Sequence, residues 1–86
     1  MNPVRIRNGV FEVEASFLAE HFHLRPADVP ELLRNQRILA QCERGEKNDA
    51  GRYRLSFRFG ASRLSLVVDE GGNILRRRSV RWPDPL

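Results

Sequence analysis

Tyr53, Leu55, Phe57 and Phe59 fall at every second position, with Arg52, Arg54, Ser56 and Arg58 between them. This period of two is the signature of a strand with one face buried, and a slip of one residue would turn the whole apolar set outward. The preceding run is expected to match it with Ile38, Ala40 and Cys42, which sets Cys42 opposite Leu55, Ala40 opposite Phe57 and Ile38 opposite Phe59. Glu46 to Gly51, "EKNDAG", is then the connecting loop. Leu64, Leu66 and Val68 supply the next strand across "GASR", expected opposite Phe59, Phe57 and Leu55. The double glycine of "EGGN", Glu70 to Asn73, suits a tight hairpin leading into "ILRRRSVRW". There the alternation fails, because Arg76 and Arg78 share the parity of Ile74, Val80 and Trp82. Such a strand reads as a sheet edge whose charges discourage pairing with another molecule, ended by Pro83 and Pro85.

The first third of the chain has a different period. Val10 to Glu14 alternates briefly and predicts a short strand. Ser16 offers an N-cap hydroxyl, and Ala15, Leu18, Ala19 and Phe22 share a helical face, so a two-turn helix is expected to end near His23. A second helix starting at Pro26 would place Pro30 where it deletes a backbone bond. Asp28 as N-cap with Pro30 in the first turn is preferred, with Val29, Leu32 and Leu33 as the stripe and Asn35 in the left-handed closing position. The fold class is therefore α+β: a short N-terminal strand at one edge, and a helical hairpin packed on one face of a four-stranded antiparallel meander.

Length and composition bound this picture. At 86 residues and 41% hydrophobic content, one domain spanning residues 1–86 is expected, with its core at about 10–82 and flexible ends at 1–9 and 83–86. A chain of this size buries roughly 60–65% of its unfolded surface, a thin margin of stability. No run approaches the roughly 20 apolar residues of a membrane helix, and no signal-peptide core opens the chain, so no membrane partner and a soluble cytoplasmic location are expected. The single cysteine excludes an internal disulfide framework. The net charge of +4 is uneven: Met1 to Glu43 carries −1 and Arg44 to Leu86 carries +5. An anionic partner would be sought on the second half.

On the expected register the outer sheet face is largely compensated. Arg54 is expected between Glu43 and Asp69, Arg58 between Leu39 and Ser65, and Arg52 beside Glu46 and Asp49. Arg58, Arg63, Arg76, Arg77, Arg78 and Arg81 remain as candidate contacts for an anion or nucleic acid. Sheet-based RNA binders expose aromatics for base stacking, and here the aromatics alternate to the buried side. The segment from Leu18 to Ile38 has the apolar spacing of a helix-turn-helix, but its second helix would open on Asp28, Pro30 and Glu31, which repel phosphate and read no base edge.

Catalytic and metal chemistry find little support. His21 and His23 lie about 200° apart on a helix and cannot chelate one metal. Cys42 is placed in the core as a small hydrophobe. Glu43, Glu46 and Asp49 lack the spacing of a calcium loop, and no helix follows "DEGGN" to form a phosphate site. No enzyme activity, cofactor or metal is expected.

"CERGEKNDAGRYRLSF", Cys42 to Phe57, and "RLSLVVDEGGNILRR", Arg63 to Arg77, resemble the signature of a family of short uncharacterised, mainly proteobacterial proteins classed as a domain of unknown function. The resemblance runs over nearly the whole chain and brings no activity with it. Its most specific part holds Cys42, Glu43, Gly45, Asp49, Gly51, Arg54, Leu55 and Phe57. A structural account serves this cluster: the glycines allow the loop's bends, Asp49 caps backbone amides, and Glu43 and Asp69 flank Arg54.

The leading functional expectation is a non-enzymatic protein-interaction module acting as a homodimer, because a thin core, the N-terminal edge strand and exposed Leu39 and Val67 leave apolar surface for a twin subunit to cover. The alternative is nucleic acid or polyanion binding through the arginine-rich C-terminal strands. A small-ligand or thiol site near Cys42 comes third.

Overall fold

The structure is a computed structural model that describes residues 2–81. Its elements in chain order are β1 (Val4–Arg7), β2 (Val10–Val13), α1 (Ala15–Phe22), α2 (Val29–Arg34), β3 (Ile38–Arg44), β4 (Arg52–Phe59), β5 (Ser62–Asp69) and β6 (Ile74–Arg81), with single 3-10 turns at Pro26–Asp28 and Lys47–Asp49. β3 to β6 form a four-stranded antiparallel sheet in sequential order, and β1 and β2 pair in a sheet of their own. The architecture is α+β, with the helices on one face of the meander.

The N-terminal strand does not lie at an edge of the meander. Asn8 and Gly9 both take positive φ, 52° and 78°, the requirement of a type I′ turn. They fold Val10–Val13 back on Val4–Arg7, with Val4 opposite Val13. Val4, outside the expected core limits, is 2% exposed and belongs to the core.

The N-cap of α1 is Glu14, not Ser16. Glu14 has extended backbone and accepts from the amides of Phe17 and Leu18 through its carbonyl, while Ser16 is exposed. Leu18, Ala19 and Phe22 form the buried stripe. His23 ends the helix in the left-handed region at φ 60°, and Leu24 N–H donates to Ala19 O at 2.8 Å, a closure that satisfies a terminal carbonyl. α2 closes in the same way through Gln36, φ 59°, with Arg37 N–H on Leu32 O at 2.8 Å. Asn35, at φ −86°, is still near the helical region, so the left-handed position falls one residue later than expected.

Leu18, Phe22 and Val29 of the helical segment meet Ile38, Leu55, Phe57, Leu64, Leu66 and Val68 of the sheet in one core. The β3–β4 register is the expected one: Ile38 faces Phe59, Ala40 faces Phe57 and Cys42 faces Leu55. The β4–β5 register differs by two residues. Phe57 faces Leu64, Leu55 faces Leu66 and Tyr53 faces Val68. The hairpin turns on Gly60 and Ala61 alone, with Gly60 at φ 58°, and a glycine in that first central position is what a type II′ turn selects.

Two positions depart from their expected burial. Ala40 and Cys42 have inward parity but are exposed, because neither the helices nor the N-terminal hairpin covers that part of β3. In β6 a register shift between Val67 and Val68 pairs Val67 with Arg76 and Val68 with Ile74, leaving Leu75 as the extra residue. This bulge explains the failed alternation: Ile74 packs against the core, and Arg76, Arg78 and Val80 turn outward.

Candidate functional site

The register shift rebuilds the outer face of the sheet. Arg54 lies between Glu43 and Val67, and Asp69 faces Arg52 instead. Arg58 lies between Leu39 and Arg63. The compensation expected for Arg54 is thus halved, and two guanidinium side chains stand directly opposite each other. Like charges in that position repel.

β6 adds Arg78 beside Ser65 and Arg76 beside Val67, two residues and so roughly 6.6 Å apart along the strand. The outer face therefore presents Arg54, Arg58, Arg63, Arg76 and Arg78, with Glu43 beside Arg54 and Asp69 facing Arg52 as acids of the same face. All five arginines are exposed. Among the described residues the ion pairs are Arg5 with Glu14 at 3.4 Å, Arg25 with Asp28 at 2.8 Å and Arg52 with Asp49 at 3.8 Å. None involves these five. A shallow trough of about 450 Å³ runs along the face past Arg54, Ser56, Arg58, Arg63 and Ser65. Beside it, between the β3–β4 loop and β6, lies a cleft of about 490 Å³ lined by Arg44, Asp49, Tyr53, Leu75 and Arg76.

Arg77 and Arg81, expected with this group, stand on the other face. Their partners across β5 are the core residue Leu66 and Ser62. The Arg77 guanidinium lies 5.1 Å from the centroid of the Phe17 ring, a cation–π position that only the packing of α1 on β6 creates. Arg54, by contrast, is recoverable from sequence: reading "GA" as a two-residue II′ turn moves Asp69 off it.

The expected structural cluster divides. Gly45 N–H donates to Arg52 O at 2.8 Å, and a side chain on Gly45 would collide with the backbone of Asp49. Asp49 contacts Arg52 rather than capping loop amides. The capping carboxylate is Asp69, whose Oδ1 accepts from Gly71 N–H and Asn73 N–H, both at 2.9 Å. These bonds, that of Asn73 foremost, hold the Asp69 carboxyl below its usual pKa. Gly51, at φ 82°, packs near Glu70, while Glu43 and Arg54 belong to the outer face.

Cys42 is exposed beside two shallow grooves. One of about 460 Å³ includes Phe11, Arg44 and Tyr53, and the other, about 430 Å³, includes Val10, Phe11, Val13, Leu33 and Ala40. The histidines lie at the opposite edge of the sheet: His21 Nε2 is 3.2 Å from Ser79 Oγ of β6, three strands from β3 and so about 14 Å away across the sheet. Cys42 and His21 do not form a pair. Among the described residues no group of three metal-ligating side chains comes together, and no helix is long and apolar enough to cross a membrane.

Partial burial of His21, reinforced by the charges of Arg77 and His23, lowers its pKa below 6.5. The neutral ring is thus favoured in the folded state, and stability is lost as pH falls through the window between 6.5 and that lowered value. Chemical denaturation at pH 8 and at pH 5.5 is expected to show wild type losing more stability than His21→Gln. Equal losses in the two proteins would remove this role.

The fold and this surface define a small α+β domain with one sheet face uncovered and basic. The chain belongs to a family of unknown function, DUF6522, whose model matches residues 1–85. No curated protein and no solved structure matches it.

Proposed function

We propose that this domain is a non-enzymatic binding module whose open sheet face takes the phosphate backbone of a nucleic acid. The observation that carries the reading is the Arg58–Arg63 pair: two like charges held opposite one another on an uncovered face, at a cost to the sheet that a bridging anion removes. Arg54, Arg76 and Arg78 extend the same charge on both sides. Guanidinium groups suit phosphate because their fork donates two hydrogen bonds at once. Among the described residues the strand positions of this face carry no aromatic ring on which a base could stack, which supports contacts to the backbone and binding independent of sequence.

The test is fluorescence anisotropy with a labelled single-stranded RNA over a salt series. Four neutralised phosphates correspond to a slope of roughly −3 in log K against log salt, or about 50-fold weaker binding at 200 mM than at 50 mM salt. Arg58→Ala with Arg63→Ala is expected to flatten the slope by about 1.4 and to leave thermal stability unchanged or higher. No binding at low salt to RNA or to heparin would end the proposal.

A further inference from the structure

The two edges of the main sheet are built differently. β6 carries Arg76, Arg77, Arg78 and Arg81 and contains the bulge at Leu75, all of which obstruct pairing with another strand. β3 has no bulge, and its charged residues, Glu43 and Arg44, lie together at its C-terminal end. Its central residues Leu39, Ala40, Gln41 and Cys42 are uncharged and exposed, and it pairs with β4 without a register shift. The amides and carbonyls on its far side have no neighbouring strand in this sheet. Along its inner side runs the apolar groove of about 430 Å³ between the N-terminal hairpin and Leu33, with Val10 61% exposed at its rim.

We propose that a second copy of this chain occupies that edge, with β3 pairing antiparallel to β3 of the partner about a two-fold axis at Gln41. The charge pattern of the strand argues for a twin rather than another protein. In this register all seven residues of β3 find partners: Ile38 faces Arg44, Leu39 faces Glu43, and Ala40 faces Cys42. Glu43 then lies diagonal to Arg37 of the partner subunit, within reach for long side chains, and symmetry makes the contact twice. No like charges stand directly opposite. Small Ala40 and Cys42 meet on the inner side, so the two grooves join and each covers the other's exposed apolar rim. The product is one eight-stranded sheet whose basic faces lie side by side. This inference does not depend on nucleic acid binding, since it rests on the free edge of β3 and not on the arginines of the sheet face.

Sedimentation velocity of the full chain without nucleic acid tests it. At about 100 μM, some hundredfold above a micromolar dissociation constant, the wild type is expected at twice the monomer mass of 10.0 kDa. Ala40→Lys and Cys42→Lys, each adding an inward charge at an exposed site, are expected to weaken association at least tenfold with unchanged circular dichroism. Glu43→Arg is expected to weaken it as well, and Arg37→Glu combined with Glu43→Arg to restore it. A wild-type monomer at this concentration, or a dimer indifferent to both lysine variants, overturns the interface. Failure of the double exchange to restore association overturns the pairing about Gln41.

Discussion

Leu66→Ala is expected to lower the unfolding free energy by about 3 kcal/mol. Leu66 has no exposed surface, faces Leu55 on β4 and Arg77 on β6, and sits where the sheet meets the helices. Truncation removes its transfer energy and leaves a cavity that neighbours on two strands cannot collapse to fill. A domain of this length is stable by roughly 4–13 kcal/mol, so a large part of the margin disappears. Thermal unfolding is expected about 15 °C lower, at roughly 4–8 °C per kcal/mol for a domain of this size. Leu75→Ala is the control. Leu75 is 50% exposed on the outer face, and its truncation is expected to change stability by about 0.5 kcal/mol or less. Similar losses for the two variants would contradict the assignment of the sheet's faces.

Gly72→Ala is expected to cost about 2–3 kcal/mol, from left-handed backbone of roughly 1–2 kcal/mol and a steric term. Gly72 holds φ 81° in the β5–β6 turn, and a Cβ there would lie 2.9 Å from the carbonyl oxygen of Val4. Val4 belongs to the core, and Asn2 Nδ2 donates to Gly72 O from the same strand end. The substitution therefore pushes the N-terminal hairpin away from the turn it rests on. Gly60→Ala separates the two contributions: Gly60 also has positive φ, 58°, but open space around it. It is expected to lose only about 1 kcal/mol, partly offset by stiffening of the unfolded chain. If Gly72→Ala cost no more than Gly60→Ala, the hairpin would not be fastened there.

The strands of the meander and the inward set Leu55, Phe57, Leu64, Leu66 and Val68 are legible from alternation, and so is the pairing of β3 with β4. The β4–β5 register is not, for a physical reason. A slip of two residues keeps every apolar side chain inward, so burial, which dominates the pattern, does not distinguish the two registers. Only the turn does, and the II′ geometry at Gly60 decides it. The same slip moves Asp69 from Arg54 to Arg52 and sets Arg63 against Arg58. The slip therefore changes the candidate site while leaving Leu55, Phe57, Leu64, Leu66 and Val68 inward. Cys42 shows the complementary limit: parity says which way a side chain points, but whether anything covers it depends on where the helices end. Asn8–Gly9, by contrast, is a strong local hairpin signal that predicts β1 without tertiary information.

The bulge at Leu75 and the arginines around it bear on how many copies can gather. A subunit with one receptive margin and one obstructed margin has a single valence. The proposed joining through β3 would consume it in both partners, so growth would halt at a pair and no ribbon would propagate. Grafting an uncharged, unbulged β6 onto this scaffold would supply the missing valence, and filaments are the expected result.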